Sequence, residues 1–287
     1  MLGDPSFPAA SQRFFQPSSI AEALALKGRL GKAASFLAGG TDLVVGVRKG
    51  RRQLDTLIDL SRVRGLDELE PSGDRLRIGA MCRLRRLESC SVDALAAACA
   101  TVGGPQIRNL GTIGGQLDTA SPAGDVSTAL IALEAEVELA SVDSGSRRLP
   151  LADFFLAPGK TDRADDEMIV AVEVPTNRRS SFYKIGKRNA VAISLVMAAA
   201  SIGPAGDVAL GLGCVAPKPL RPRRAEAHLR QAAVIDSTAM TEAARLVGEE
   251  VSPIDDHRGG AEYRRSMAVT LTHRLLSELI DITPGNA

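Results

Sequence analysis

Three strand patterns in succession, residues 182–187, 191–202 and 208–215, are followed by helical patterns to the end of the chain. That order predicts an α+β fold in which an antiparallel sheet carries helices on one face. The first sixty residues predict a different, compact unit, where a helix and short strands alternate. At 287 residues the chain is longer than one core usually supports, so two domains are expected. They are expected to cover 1–177 (subdomains about 1–62 and 63–177) and 178–287. The polar, turn-forming stretch around Pro175, Thr176 and Asn177 is the junction.

The elements follow in order. Ser19 with Glu22 three residues on forms a capping box and opens a helix that Gly28 or Gly31 closes. A strand at 35–38 runs into Gly39-Gly40-Thr41-Asp42 and a short helix at 43–48, and a second strand follows at 56–60. A strand at 75–80 leads to helices at 84–88 and 92–102, the latter ending on Gly103-Gly104-Pro105. A glycine-rich segment at 109–116 precedes a helix from Asp125 to about Ala135, and strands at 137–140 and 168–174 complete the first part. Beyond the three strands of the second part, helices begin near Arg223, Ser237 and Gly260.

Composition removes several classes of function. With 3% aromatic residues, no Trp and a net charge of +1, the chain lacks the stacking platforms and basic excess of a nucleic-acid binder. The four cysteines, Cys82, Cys90, Cys99 and Cys214, follow no CxxC spacing and read as reduced thiols of a cytoplasmic protein. The opening residues lack the pattern of a signal peptide. The uncharged run 189–206 is interrupted by Ser194, Ser201, Gly203 and Pro204, which makes it a buried strand rather than a membrane span. Neither nucleic-acid binding nor membrane insertion is expected.

Two segments have the makings of a binding site, Ala38-Gly39-Gly40-Thr41-Asp42 and Thr112-Ile113-Gly114-Gly115. Adjacent glycines at a strand-to-helix turn let the backbone approach a ligand and aim successive N–H groups at an anion, and two such turns suit a pyrophosphate. The plainer reading is a pair of tight turns. Neither GxGxxG nor GxxxxGK[ST] is present, so a Rossmann domain and a P-loop are disfavoured. Asp125, at the start of its helix, either complements the helix dipole or accepts hydrogen bonds from a ribitol or ribose hydroxyl. His228, His257 and His273 have no metal-ligand spacing, and no GxSxG elbow exists, so no catalytic residue and no metal ligand is assigned. Arg221, Arg223 and Arg224 form a basic cluster that either clamps a phosphate, faces a partner or is a solvated turn.

Together these segments carry a resemblance. The run Leu37-Ala38-Gly39-Gly40-Thr41-Asp42-Leu43 is followed by Gln106-Ile107-Arg108-Asn109, Gly111-Thr112-Ile113-Gly114-Gly115 and Thr119-Ala120-Ser121-Pro122-Ala123-Gly124-Asp125. Later come Tyr183-Lys184 with Arg188, Gly213-Cys214-Val215-Ala216-Pro217 with Pro219 and Arg221, and Ala261-Glu262-Tyr263-Arg264-Arg265. In this order and spacing the motifs resemble the FAD-binding medium subunit of the molybdenum hydroxylases, the group of carbon monoxide dehydrogenase and xanthine dehydrogenase. The resemblance runs from about Phe14 to Leu279.

It implies a two-part FAD-binding domain of the vanillyl-alcohol-oxidase type followed by a smaller domain. It also implies noncovalent FAD whose pyrophosphate is held by backbone N–H groups of Ala38 to Asp42 and Thr112 to Gly115. By the same carry-over, Gln116 stands where the family usually has Asn, Asp125 binds the sugar-like portion, and Lys184 lies near the isoalloxazine. The implied partners are a small subunit with [2Fe–2S] clusters and a large molybdopterin subunit in an (αβγ)2 assembly, with electrons passing through FAD to an external acceptor. Asp118 departs from the pattern by adding a carboxylate beside the second turn. Together with Gln116 it keeps a flavin-free structural or assembly subunit in play, while an independent flavin oxidase is disfavoured by the lack of an acid–base constellation beside the two turns.

Overall fold

The computed structural model describes residues 13–281. The outermost residues of the expected domains, 1–12 and 282–287, lie outside the described residues. The chain opens with Arg13–Phe15 (β1), Ile20–Leu30 (α1), Ala34–Leu37 (β2), Leu43–Arg48 (α2) and Thr56–Asp59 (β3). Ser19 caps α1 by accepting from the Glu22 N–H at 3.2 Å, while the Glu22 carboxylate reaches one residue further back than a capping box requires, to the Ser18 N–H at 2.8 Å. Gly31, at φ +54°, ends the helix, not Gly28. The three strands pair in parallel in the order β1-β3-β2.

There follow Leu69–Ser72 (β4), Arg75–Gly79 (β5), Leu84–Leu87 (α3), Asp93–Thr101 (α4), Pro105–Leu110 (α5), Ile113–Asp118 (α6) and Asp125–Ala132 (α7). Next are Glu136–Ser141 (β6), Gly145–Pro150 (β7), Leu151–Phe154 (α8), Phe155–Ala157 (β8), Lys160–Thr161 (β9) and Met168–Pro175 (β10). Five of these strands form an antiparallel sheet in the order β4-β5-β10-β6-β7. Its central strand β10 serves two cores. Met168 and Val170 pack with Ala23, Leu24 and Ile58 of the first unit, while Ile169, Val172 and Val174 pack with Leu95 of α4, Leu117 of α6 and Leu130 of α7. A bulge between Ile169 and Ala171 resets the alternation, which is how Ile169 and Val172 come to face one side.

The last part contains Arg179–Gly186 (β11), Ser194–Ile202 (β12), Val208–Gly213 (β13), Arg223–Gln231 (α9), Ser237–Glu250 (α10) and Ala261–Asp281 (α11). The strands form the expected antiparallel sheet, β11-β12-β13. The expectation of helices on one face needs correction, because both faces are covered. Every residue of β12 is buried, as a strand must be when it is packed on two sides. Val196, Ala198 and Ala200 face Met240 and Val247 of α10 and Leu271 and Leu275 of α11. Met197 and Ala199 face the core that α4 and α7 supply from the first part.

The basic cluster is spent inside this frame. Arg221 pairs with Glu226 at 2.7 Å and Glu134 at 2.6 Å, and Arg224 pairs with Glu249 at 2.8 Å. The four cysteines are free thiols, and burial raises Cys82 to about 11. Among the described residues, no helix is long and apolar enough to cross a membrane.

Candidate functional site

The first glycine turn is a strand-to-helix turn, as expected. It leaves the end of β2, and Gly40 takes φ +71°, a left-handed conformation open to glycine at little cost. Among the described residues, no acceptor takes the backbone N–H groups of Gly39, Gly40, Thr41 or Asp42. Successive unpaired donors around a left-handed residue form a concavity suited to an anion.

The second segment differs from expectation. No strand leads into it. It joins α5 to α6, with Thr112 making an isolated bridge to Arg83 and capping α6 through its hydroxyl, which accepts from the Gly115 N–H at 3.2 Å. Most of its donors are already committed: Ile113 to the Cys82 carbonyl at 3.0 Å, Gly114 to the Ala80 carbonyl at 2.8 Å, and Gln116 to the Thr112 carbonyl at 3.0 Å, while the Thr112 N–H has no acceptor among the described residues. The glycines here serve close approach instead. A Cβ on Gly114 would sit 2.8 Å from both the Cβ and the carbonyl oxygen of Ala80. The two segments approach backbone to backbone, since a Cβ on Gly39 would overlap the Leu110 carbonyl just before the second turn.

Between them lies an open cleft of about 150 Å³. Ala38, Gly39, Gly40, Thr41, Asp42, Thr112, Gly114, Gly115 and Gln116 all line it. Three expected residues do not. Ile113 is wholly buried in the core beneath. Asp125 and Lys184 meet each other instead, Nζ to Oδ2 at 2.6 Å, joining the first residue of α7 to β11 across 59 positions.

The Asp125 carboxylate also accepts from the Ser194 hydroxyl at 2.6 Å and the Thr101 hydroxyl at 3.2 Å, and Lys184 also donates to the Thr101 carbonyl at 2.9 Å. Burial pushes the Asp125 carboxyl up, and the Lys184 ammonium with these hydrogen bonds only partly offsets it. Gln116 ties the two places together. It lines the cleft, its amide carbonyl accepts from the Ser127 hydroxyl of α7 at 3.0 Å, and its amide nitrogen lies against Gly124.

Sequence reasoning missed two cations in the cleft wall, Arg52 and Arg163. Arg163 donates to Asp118 at 2.7 Å and to the Glu167 carbonyl at 2.9 Å, so the carboxylate that departs from the family pattern is charge-paired. No local signal marks either arginine, because 45 residues separate Arg163 from Asp118.

A two-part α+β chain whose glycine turn lines a cleft and keeps unused backbone donors has the character, as a class, of a binder of a phosphorylated cofactor. Comparison with known proteins names the cofactor. A family model described as the FAD binding domain in molybdopterin dehydrogenase matches residues 9–177, and one described as the CO dehydrogenase flavoprotein C-terminal domain matches 181–279. The nicotinate dehydrogenase FAD-subunit of Eubacterium barkeri is 32% identical, covering 95% of this chain and 97% of its own. The carbon monoxide dehydrogenase medium chain of Hydrogenophaga pseudoflava is 30% identical, covering 92% and 95%. Among solved structures, carbon monoxide dehydrogenase from Hydrogenophaga pseudoflava superposes with a TM-score of 0.87 at 31% identity over 95% of this chain and 98% of that one. Quinoline 2-oxidoreductase from Pseudomonas putida 86 gives 0.86 at 29% over 96% and 98%. The chain belongs to the family of FAD-binding medium subunits of molybdenum hydroxylases and is an oxidoreductase subunit.

Proposed function

We propose that this chain carries one noncovalently bound FAD and passes electrons from [2Fe–2S] clusters of a small subunit to an external acceptor, while a large subunit oxidises substrate at molybdenum. When bound, FAD supplies a redox centre that exchanges electrons singly or in pairs. The observation that carries the reading is the row of uncommitted N–H groups from Gly39 to Asp42, four residues that line the cleft. These donors would hold the pyrophosphate, with Ala38 beside them and the Thr41 and Thr112 hydroxyls within the same wall. The second turn contributes shape: Gly114 and Gly115 keep side chains out of the cleft, and Gln116 extends its wall toward α7. Asp125 and Lys184 are assigned to the sugar and ring end of the cofactor, next to Gln116 through Gly124.

The proposal includes the division at 177/178, with a first domain of the vanillyl-alcohol-oxidase type. It also includes a cytoplasmic (αβγ)2 assembly with both partner subunits. The flavin-free alternative rested on Asp118 and Gln116; the Arg163 pair compensates the Asp118 charge, and Gln116 keeps an amide in the cleft wall. The test is an absorption spectrum of the purified full chain before and after acid precipitation, with FAD assayed in the supernatant. Close to one FAD per chain is expected; a colourless chain that stays unbound in excess FAD, alone and in its assembled complex, overturns the reading.

A further inference from the structure

The third part of the molecule holds a buried cation that the cofactor reading does not use. Arg264, in the first turn of α11, is 1% exposed. One guanidinium nitrogen, Nη1, donates to the Leu195 carbonyl at 3.0 Å and the Cys214 carbonyl at 3.2 Å. The other, Nη2, donates to Asp256 Oδ1 at 2.7 Å, and Asp256 is itself gripped by Arg258 at 2.9 and 2.6 Å. Leu195 and Cys214 flank the point where the β12–β13 ladder stops, its last pair being Met197 with Gly213. The guanidinium therefore joins two strands just past the end of their ladder.

One carbonyl belongs to a residue that touches the Ser121–Asp125 loop, Cys214, and the other to the chain neighbour of one that does, Ser194. Cys214 is held at φ +63°, a left-handed conformation that a side chain disfavours, and it persists only where neighbours impose it. In that conformation its N–H donates to the Pro122 carbonyl at 2.8 Å and its Sγ lies 3.2 Å from the Ser194 carbonyl. Ser194, next to Leu195, gives its hydroxyl to Asp125 at 2.6 Å. The loop is thus held at Pro122 by Cys214, which Arg264 bonds, and at Asp125 by Ser194, the neighbour of the Leu195 that Arg264 bonds, and Gly124 of the loop rests against the Gln116 amide in the cleft wall.

We propose that Arg264 is a positioning residue for the cofactor site: by fixing Cys214 and Leu195 it sets the Ser121–Asp125 loop, so that the C-terminal helix governs how tightly and in what environment FAD is held. The inference rests on the reading of the cleft as the FAD site. Arg264 is not a catalytic residue, because it touches neither the cleft nor Asp125.

The experiment compares the full chain with Arg264→Gln, Arg264→Lys and Asp256→Asn. The readouts are FAD dissociation by flavin fluorescence, the visible circular dichroism of bound flavin, and its reduction potential. Arg264→Gln is expected to weaken FAD binding at least tenfold and to alter the visible dichroism and the potential. Arg264→Lys is expected to restore part of both, since an ammonium still donates to the carbonyls. Asp256→Asn lies between and keeps the test usable where Arg264→Gln does not fold. Folded Arg264→Gln or Asp256→Asn with unchanged affinity, dichroism and potential overturns the inference while leaving the FAD reading intact. A parent chain that binds no FAD overturns both.

Discussion

The two glycine segments look alike in sequence and do opposite things. At the first, the N–H groups of Gly39 to Asp42, residues that line the cleft, have no acceptor among the described residues; at the second, those of Ile113 to Gln116 are consumed by the fold and only that of Thr112 is left. An unpaired donor set costs stability in the free protein unless water serves it, and is repaid when an anion arrives. A committed set does the reverse, stabilising the free protein and offering an anion nothing. The lesson is that a glycine pair marks backbone closeness, and only the fate of its N–H groups tells whether that closeness serves a ligand or the core.

The sharpest test is Gly39→Ala. Its methyl would overlap the Leu110 carbonyl, a backbone atom with nowhere to go, so the two turns must part. A loss of about 3 kcal/mol in stability is expected, together with loss of measurable FAD binding, read by chemical denaturation and fluorescence titration. Gly114→Ala comes next. Its methyl meets Ala80 in the core, and about 2 kcal/mol of stability should go while FAD affinity in the folded fraction falls less than tenfold. Equal affinity losses in the two variants would erase the distinction between the turns.

Acid should act at Glu167, the chain neighbour of Met168 in the cleft wall. Hydrogen bonds from Arg147, at 2.6 and 2.9 Å, and from the Ala164 N–H outweigh burial and hold the Glu167 carboxyl below its usual range. A depressed folded value means that its stabilisation is complete above the unfolded value near pH 4.3 and is lost as pH falls through the folded one. Glu167→Gln should therefore cost about 1 kcal/mol at pH 7, with the difference from the parent shrinking below about pH 4 in urea titrations. The smallest effect is expected from Asp118→Asn. The Arg163 pair is half exposed on the acid side, so stability should move by less than about 0.5 kcal/mol. Freed of its partner, Arg163 should tighten FAD binding a few-fold at low salt, an effect that added salt removes.

What the sequence made legible follows from how local the signals are. The capping serine of α1, the apolar run of β12 and the Gly40 turn depend on neighbouring residues, and each stands where the pattern placed it. Strands β4 and β7 escaped notice because their exposed faces carry charge, with Arg77 paired to Glu70 and Arg148 to Glu138, which breaks the apolar alternation that reveals a strand. The site was half legible. Its turn residues announce themselves as glycines, but the commitment of the second turn's donors to Ala80 and Cys82, the Asp125–Lys184 pair and the arginines of the cleft wall are all tertiary contacts, and no periodicity encodes a partner dozens of residues away.

Strand β12 sends Met197 and Ala199 into one core and Val196, Ala198 and Ala200 into another. It is a party wall: neither room stands if it is taken down. A chain cut at residue 177 would leave the flanks of α4 and α7 facing water, and a chain begun at 178 would bare the opposite face of its own sheet. The two halves can be told apart by inspection, yet they should unfold as one cooperative unit, and neither should be recoverable as a stable fragment.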